Sequence, residues 1–225
     1  MHSEKYISHN WLIKRSLNRI VRQHIDSLRG VVVDLGCGIR PYESDILTRA
    51  ERYIGLDWNN TLHGLQADIV ADLNRPLPLR NEVADCITTF EVIEHLAEPG
   101  IMLSEAFRIL RCGGRLLLSA PFQWWVHEAP WDYQRFTRYG LEYQLKKAGF
   151  TNIQITPTSG FWAMWVLKLN YQLTRLIRGP RLQRFVIRAF LIPIWWLGQV
   201  LAPLMDQYWH EENETAGYFV AADKP

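Results

Sequence analysis

The chain has 225 residues, with 25 lysines and arginines against 23 acidic residues and a formal charge of +2. This length fits a single domain, residues 1–225, with one embellishment, and the small net charge gives no general case for a nucleic-acid partner. Three cysteines without metal-ligand spacing and a start without a signal-peptide core indicate a reducing, cytoplasmic location.

The N-terminal segment, residues 1–29, carries apolar residues at three- and four-residue spacings from about residue 7 to residue 28. This spacing predicts an amphipathic helix with its basic residues on the wetter side. Two interpretations stay open: the helix packs over the edge of the fold, or it forms a lid over a ligand site.

The run 31–33 consists of three valines and predicts a strand that is buried on both faces. Asp34, Gly36 and Gly38 follow, and the two glycines allow a sharp turn that brings the backbone close to a ligand. Arg40 and Pro41 stand where a phosphate-binding fingerprint would have another glycine. The turn alone therefore defines no ligand.

A helix is predicted over residues 42–50, and a strand over 52–56 that ends at Asp57. In doubly wound folds an acid at this place, about 20 residues after the glycine turn, bonds to a ribose. Further strands are predicted at 67–73, 84–90 and 115–120, with a helix from Pro99 that ends at the glycines 113–114. This order predicts a mostly parallel sheet with helices on both faces.

Residues 122–136 have no period but are rich in aromatic and proton-transferring side chains. They follow the tip of a central strand, where such sheets place a substrate crevice. A helix between Thr137 and Gly149, a strand at 151–156 and a last strand at 218–222 complete the pattern. The predicted fold is α/β, a doubly wound, seven-stranded Rossmann-like sheet with a helical insert, residues 157–213, before the last strand.

The insert lies in a stretch, residues 143–205, that contains no acidic residue, and its last part, residues 189–205, has no charge at all. Eight basic residues fall in this stretch: Lys146, Lys147, Lys168, Arg175, Arg178, Arg181, Arg184 and Arg188. Basic faces, tryptophans and apolar surface are typical of a helix in a membrane interface. The uncharged run has 17 residues, interrupted by Pro193 and Pro203, and a membrane crossing needs roughly 20. We therefore expect peripheral contact with the inner face of the membrane through residues 158–210; a helical cap or a homodimer interface is the alternative.

Several motifs together closely resemble the class I S-adenosylmethionine-dependent methyltransferases, over about residues 30–156 and the last strand. The motifs are Asp34-Leu35-Gly36-Cys37-Gly38, Asp57, Asp72, Glu91-Val92-Ile93-Glu94-His95-Leu96 and Leu110-Arg111-Cys112-Gly113-Gly114-Arg115. The chain also resembles a branch with Gly-x-x-Pro-Tyr after the first strand and a His-Glu-x-Pro-x-Asp-Tyr-x-Arg-Phe-Thr segment. Members of that branch often accompany surface-polysaccharide and lipid-carrier pathways.

The resemblance implies S-adenosylmethionine as cofactor and a role for each matching residue. The amides of Gly36 and Gly38 approach its methionine part, and Asp34 accepts from its ammonium group or orders the turn. Asp57 binds the ribose hydroxyls, Asp72 and Leu73 border the adenine, and Phe90 closes the methionine end. Separately from the resemblance, we expect Arg40 either to pair with the cofactor's carboxylate or to face solvent.

Methyl transfer from a sulfonium is a direct displacement, and an oxygen acceptor benefits from a base. His127 is the leading candidate, oriented by Glu128 or Asp132, and His95 is its rival. In the alternative, His127 and Arg135 only fix the loop by hydrogen bonds. Residues expected to contact the acceptor are Trp124, Trp125, Trp131, Tyr133 and Arg135, and no metal site is predicted.

The sequence thus predicts a methyltransferase for an oxygen of a glycan or lipid-linked acceptor at a membrane surface. One alternative is a methyltransferase for a small hydrophobic or phenolic natural product. Another is a catalytically silent protein that binds the cofactor and recruits partners. A nucleic-acid substrate is disfavoured because the basic residues alternate with apolar ones and form no polar groove.

Overall fold

Seven strands form one sheet in the order β3-β2-β1-β4-β5-β7-β6 in the computed structural model, which describes residues 8–59, 66–209, 211 and 213–225. The strands are β1 (Val31–Leu35), β2 (Arg52–Asp57), β3 (Ile69–Val70), β4 (Ala84–Phe90), β5 (Leu110–Pro121), β6 (Thr151–Pro157) and β7 (Gly217–Asp223). All the pairings among β3, β2, β1, β4 and β5 are parallel. The predicted α/β fold with a mostly parallel seven-stranded sheet is confirmed.

The strand order reverses between β1 and β4, which are neighbours although β2 and β3 lie between them in the chain. In an open α/β sheet the crevice beyond the carboxyl ends of the strands at such a reversal is where ligands bind. The glycine turn after β1 and the Glu91–Leu96 run after β4 both begin at this place. The topology therefore brings two of the sequence motifs to one edge of the sheet.

Six α-helices accompany the strands within the described residues: α1 (Trp11–Ile25), α2 (Glu43–Ile46), α3 (Pro99–Ile109), α4 (Arg138–Ala148), α5 (Phe161–Thr174) and α6 (Arg181–Tyr208). Helix α4 begins as predicted at Thr137, whose hydroxyl accepts from the Gly140 N–H at 3.1 Å. It ends as predicted at Gly149, which has a φ of 104°. A single 3₁₀ turn, Ile93–His95, follows β4.

The sheet core consists of the apolar strand residues that the sequence singles out. Val32, Val33 and Leu35 of β1 have no exposed surface. Leu116, Leu117 and Leu118 of β5 are equally inaccessible. Consecutive residues of one strand point to opposite faces, so both faces of the sheet are covered, as expected for parallel strands.

Strand β5 begins earlier than the sequence predicts. It starts at Leu110, directly after α3, and the glycines 113–114 lie inside it instead of ending the helix. Its register against β4 shifts between Ala84 and Cys86, and Gly113 has a φ of 74°. A glycine of positive φ inside a strand marks such an irregularity as readily as it marks a helix end, and that ambiguity misled the prediction.

The chain divides into two compact units. The sheet unit comprises Val21–Thr156 and Tyr218–Pro225, and the helical unit comprises the residues up to Ile20 together with Pro157–Gly217. Within the helical unit, the Asp206 carboxylate accepts from the N–H groups of Trp162 and Ala163 at 2.8 and 3.2 Å and so caps the start of α5. The Gln199 side chain accepts from the Leu12 N–H and donates to the Ser8 carbonyl, both at 3.0 Å.

Helix α6 joins the basic stripe and the uncharged run into one helix of 28 residues that contains both Pro193 and Pro203. Only Leu191, Trp195, Gln199 and Ala202 of this helix are buried. Its exposed apolar residues are Leu182, Phe185, Val186, Phe190, Ile194, Trp196, Leu197, Val200, Leu201, Leu204 and Tyr208. By length and composition it is the one described helix that qualifies as a membrane span.

The sheet argues against a single crossing by α6. This helix lies between β6 and β7 in the chain, and those two strands are neighbours in the sheet. A lone crossing would place β7 on the opposite side of the membrane from β6. Helix α5 has 14 residues and is too short to return across a membrane, which takes about 20 residues.

Candidate active site

A cavity of about 400 Å³ opens at the carboxyl ends of β1, β2 and β4, within the sheet unit. Its size lies in the range of small-molecule sites. The residues that line it are Gly36, Cys37, Gly38, Ile39, Pro41, Asp57, Trp58, Asp72, Leu73, Asn74, Phe90, Glu91, Val92, His95, Leu96, His127, Glu128 and Trp131. Six of the eight residues predicted to bind the cofactor are among them, together with both candidate bases.

Glycine stands at positions 36 and 38 of the turn for different structural reasons. A Cβ on Gly36, which has a φ of 79°, would lie 2.4 Å from the Val92 side chain. A Cβ on Gly38, with a φ of 51°, would meet nothing within 4 Å. Gly36 is therefore required by packing, whereas Gly38 leaves its backbone open to a ligand in the cavity.

Asp57 joins the tip of β2 to the glycine turn. Its carboxylate accepts from the Gly38 N–H and from the Trp58 N–H, both at 2.7 Å, and the residue is 8% exposed. A carboxylate has about four acceptor positions, so capacity remains for hydroxyl donors in the cavity. This arrangement fits the predicted ribose contact.

The loop after β3 forms another part of the cavity wall. The Asp72 carboxylate accepts from the backbone and side-chain N–H groups of Asn74 at 2.9 and 3.0 Å, and Leu73 is buried. Phe90 lies at the end of β4, with its ring 5.3 Å from the ring of Tyr42. Asn74 was not predicted; its two bonds to Asp72 form a side-chain-to-backbone turn that hydrophobic patterning does not reveal.

Asp34 and Arg40 do not line the cavity. The Asp34 carboxyl is buried in the sheet, where it accepts from the Tyr53 hydroxyl and, at 2.7 Å, from the Thr88 hydroxyl. Burial raises the pKa of Asp34 to about 6, against the lowering effect of these two hydrogen bonds. The Arg40 guanidinium contacts Asp68 at 2.6 Å and Glu43 at 3.0 Å. Arg40 is thus paired with two acids and does not face open solvent; its contact with the cofactor's carboxylate stays a prediction.

The two candidate bases lie side by side, with ring centroids 4.8 Å apart. Nδ1 of His95 is 2.7 Å from the Trp131 carbonyl oxygen. Because a carbonyl can only accept, Nδ1 carries the hydrogen and Nε2 of the neutral ring is left as an acceptor. The two histidines are far apart in the sequence, so their contact could not be predicted. It forms because the segment after β5 folds back over the end of β4.

His127 is held by Asp132. Its backbone N–H donates to the Asp132 carboxylate at 2.8 Å, and its Nδ1 lies 3.4 Å from the same carboxylate oxygen. Burial acts to raise the pKa of Asp132, but hydrogen bonds from Arg135 and from the His127 N–H lower it to about 2. Of the two predicted orienting acids, Asp132 contacts His127, whereas Glu128 lies 3.9 Å from Nε2 of His95.

Glu94 is a further residue of the site that the sequence analysis did not predict. Its side chain is fully buried, and neither carboxyl oxygen has a hydrogen-bond partner among the described residues. Oε1 lies 3.6 Å from Nε2 of His95 and 4.0 Å from Nε2 of His127. Burial, with the nearby Glu91, raises the pKa of Glu94 well above its usual value. The adjacent acid and imidazole in Glu94-His95 were the available signal.

The residues predicted to contact the acceptor separate into two groups. Trp131 lines the cavity, where its ring lies 5.2 Å from the ring of Trp58, a residue that was not predicted. The others are not in the cavity wall: Trp124 stacks on Trp125 at 4.2 Å, Tyr133 is exposed, and Arg135 binds Asp132 through both its terminal nitrogens. For Arg135 this matches the alternative in which it fixes the loop.

Comparison with known proteins supports the class that this fold and cavity suggest. Residues 8–155 match the family model described as a methyltransferase domain. A 97-residue stretch is 38% identical to a probable S-adenosylmethionine-dependent methyltransferase of Mycolicibacterium smegmatis, covering 40% of this chain and 37% of that relative. The ubiquinone biosynthesis O-methyltransferase of Chelativorans sp. is 23% identical over 204 residues, which cover 86% of this chain and 71% of the relative.

A solved structure shares the fold over nearly the whole chain. A SAM-dependent methyltransferase from Archaeoglobus fulgidus matches with a TM-score of 0.59 and 18% identity, covering 96% of this chain and 95% of that one. The sheet and its cavity define a Rossmann-like α/β fold with a pocket at the reversal of the strand order. The family match makes the assignment definite: the chain belongs to the S-adenosylmethionine-dependent methyltransferases.

S-adenosylmethionine is the cofactor of this class, and the residues present fit it. Gly38 offers open backbone, Asp57 retains acceptor capacity for hydroxyl groups, and Asp72 with Leu73 provides a polar and an apolar border. Acidic and aromatic surroundings also suit a sulfonium cation. The assignment of each residue to a part of the cofactor stays a prediction, as does membership of the branch with the Gly-x-x-Pro-Tyr motif.

Proposed function

We propose that the protein methylates an oxygen atom of a glycan or lipid-linked acceptor at a membrane surface. The observation that carries the proposal is the pair His95 and His127 in the wall of the cofactor cavity. When bound, S-adenosylmethionine supplies a methyl group whose bond to sulfur breaks as the bond to the acceptor oxygen forms. The acceptor loses its hydroxyl proton in this exchange, and an imidazole in the cavity wall is placed to receive it.

His127 is the leading base because Asp132 fixes its backbone and lies beside Nδ1 of the ring. His95 is the rival, since its Nδ1 donates to the Trp131 carbonyl and Nε2 of the neutral ring is then the acceptor. Arg135 contributes indirectly: it binds Asp132 and donates to the Trp125 carbonyl at 2.9 Å, which holds the segment that carries His127. Arg135 is therefore a positioning residue.

The test is turnover of the His127→Ala and His95→Ala variants. Loss of a general base lowers the rate by about 10²–10⁴-fold, and we expect this for His127→Ala with cofactor affinity unchanged. His24→Ala, which removes an imidazole outside the cavity lining, is the matched control. If both cavity variants turn over at the parental rate, neither histidine is the base.

The acceptor class rests on helix α6. Its exposed apolar residues and the exposed Arg181, Arg184 and Arg188 suit a protein that works at the cytoplasmic face of an anionic membrane, where lipid-linked acceptors are held. A screen of glycan, lipid and phenol extracts with labelled methyl donor identifies the acceptor. Label that enters only lipid-free compounds would exclude the lipid-linked class.

Methylation of a small hydrophobic or phenolic compound is the second candidate. The relatives named as ubiquinone biosynthesis O-methyltransferases, one of which aligns over 86% of this chain, favour it. The same extract screen separates it from the first candidate. If no extract is methylated although the chain binds S-adenosylmethionine, the third interpretation, a silent cofactor-binding protein, gains the support that the other two lose.

A further inference from the structure

We infer that Glu94, His95 and His127 bind a divalent transition-metal cation in the wall of the cofactor cavity. One ligand atom from each of these residues lies within 4.8 Å of the others. Two of these separations, 3.6 and 4.0 Å, run from Oε1 of Glu94 to Nε2 of His95 and of His127. Ligand atoms at about 2.0 Å from a tetrahedral metal lie about 3.3 Å apart, so the three side chains must move inward to complete the site.

The Glu94 carboxyl shows that a partner is missing. Its side chain has no exposed surface, and neither oxygen accepts or donates a hydrogen bond within the described part of the chain. A buried carboxyl without a partner is strongly unfavourable, because the group has lost its hydration and gained nothing in exchange. A cation between Glu94 and the two imidazoles supplies that partner.

The surroundings of His95 are those of a metal ligand. A ligating histidine almost always donates its other ring N–H to a carbonyl or a carboxylate, which turns the free nitrogen toward the metal. Nδ1 of His95 donates in this way to the Trp131 carbonyl at 2.7 Å. Nδ1 of His127 lies 3.4 Å from the Asp132 carboxylate and equally far from Nη2 of Arg135, which can only donate. Nε2 of each ring lies within 4.0 Å of Oε1 of Glu94.

The local charge also favours a cation. Glu91 and Glu128 line the same cavity, and a Glu128 oxygen lies 3.9 Å from Nε2 of His95. Arg135 is the nearby positive group, with Nη2 at 3.4 Å from Nδ1 of His127. It lies on the side of that ring away from Glu94, and Asp132 pairs with both of its terminal nitrogens.

Two imidazoles and one carboxylate select zinc and similar first-row ions over magnesium and calcium, which prefer oxygen ligands alone. Three protein ligands also leave at least one coordination position open, as in catalytic zinc sites. An acceptor hydroxyl bound there would have a lowered pKa. This role of the cation in activating the acceptor rests on the proposed function. It also changes the assignment of the base, because an Nε2 that binds a cation cannot also receive the acceptor proton.

Titration with Co²⁺ tests the site on the full-length chain, freed of metal with a chelator and carrying no histidine tag. We expect one equivalent to bind, with the visible absorption of a site of low coordination number. Loss of an outer-shell partner weakens metal binding by about 10–100-fold. Glu94→Gln keeps the shape of the side chain but removes a direct ligand, so it should weaken Co²⁺ binding by more than this. His95→Ala should do the same, and His24→Ala should bind as the parent does.

Thermal unfolding guards against misfolded variants. In chelator, Glu94→Gln should unfold no earlier than the parent, because it removes a buried acid that lacks a partner. On addition of Zn²⁺, only the parent and His24→Ala should gain stability, by mass action. If the parent binds no stoichiometric Co²⁺, or if Glu94→Gln and His95→Ala bind it as tightly as the parent, the inference is overturned.

These outcomes are separate from those of the proposed function. Stoichiometric Co²⁺ binding that depends on Glu94, without methylation of any acceptor, would leave the metal site standing and the proposed reaction without support. Methyl transfer at an undiminished rate in chelator, by a chain that binds no Co²⁺, would overturn the metal site and restore His127 as the base.

Discussion

At the scale of single residues, Asp34 carries a buried carboxyl whose charge state affects stability. The groups that face it are the Tyr53 hydroxyl from β2, the Thr88 hydroxyl from β4, and the charges of Asp57 and Arg40. Its pKa is about 6 in the folded protein against an ordinary value of 3.8. Because the folded state holds this proton more tightly, the contribution is fully present below pH 3.8 and is lost as the pH rises through about 6.

We therefore predict that Asp34→Asn removes a pH-dependent loss of stability. A shift of about two pKa units corresponds to about 3 kcal/mol, so the variant should gain up to that amount relative to the parent between pH 4 and 7. Urea unfolding across this range measures the difference. A constant difference between the two proteins at every pH would show that Asp34 does not titrate in the folded state.

The glycine turn gives a second prediction, in which two similar substitutions have different effects. Gly36→Ala places a Cβ against Val92 at positive φ, so overpacking of about 1–3 kcal/mol adds to the strain of the left-handed backbone. Gly38→Ala meets no neighbour and incurs only the backbone strain, but it adds a methyl group to a residue of the cavity wall. We expect Gly36→Ala to lower the unfolding free energy more than Gly38→Ala does. We expect Gly38→Ala to weaken S-adenosylmethionine binding at least as much as Gly36→Ala does.

Calorimetric titration and urea unfolding on the same preparations test this pair. The difference between the two variants is more informative than either result alone, because the strain of a positive φ is common to both. If Gly38→Ala binds the cofactor as the parent does while folding normally, the backbone of Gly38 is not part of the binding surface.

Asp57→Ala should weaken binding of S-adenosylmethionine. A hydrogen bond to a charged group contributes about 1.5–3 kcal/mol, which predicts a dissociation constant roughly 10–100-fold higher. Asp26→Ala, on an exposed acid that pairs with Arg49, is the matched control and should bind normally. Unchanged affinity in Asp57→Ala would remove Asp57 from the ribose site and leave it only the role of holding the glycine turn.

At the scale of elements, the start of α5 depends on an acid from α6. Asp206 accepts from two N–H groups at the first turn of α5, so Asp206→Ala should destabilise the protein by about 1 kcal/mol, as the loss of a helix cap does. The neighbouring exposed Gln207→Ala makes no such contact and serves as control. Equal unfolding free energies for the two variants would show that water replaces the cap without loss.

The same scale shows what sequence reasoning could and could not supply. Strands β1 and β4 follow from runs of β-branched and apolar residues, and α4 follows from its cap residues, because these signals are local. The early start of β5 was missed because a glycine such as Gly113 fits both a helix end and an irregular strand. The length of α6 was missed because Pro193 predicts an interruption, whereas it lies inside the helix. At the site, the turn and Asp57 were placed correctly in the cavity wall. Glu94 and Trp58 were missed because their roles depend on contacts between distant segments, and Asn74 because its local turn with Asp72 leaves no mark in the hydrophobic pattern.

At the scale of the whole molecule, membrane contact and self-association are the two explanations for the exposed apolar face of α6. Both would cover apolar residues such as Phe185 and Phe190. They differ in what the arginines do: anionic lipid attracts them, whereas a second copy of the same helix brings like charges together unless acids of the partner face them. Vesicles of defined charge therefore separate the two explanations.

We predict that the full chain sediments with vesicles that contain phosphatidylserine and much less with neutral ones. Each basic residue near an anionic surface contributes about 1 kcal/mol, so Arg181→Gln, Arg184→Gln and Arg188→Gln together should weaken binding by about 10²-fold. The control Arg138→Gln, Lys146→Gln and Lys147→Gln changes the net charge equally on α4, which belongs to the sheet unit, and should have little effect. Phe185→Ser with Phe190→Ser should reduce binding to both kinds of vesicle. A chain that ignores vesicles and is a dimer by light scattering would contradict the membrane proposal and support the homodimer, because the apolar face of α6 would then be covered by protein.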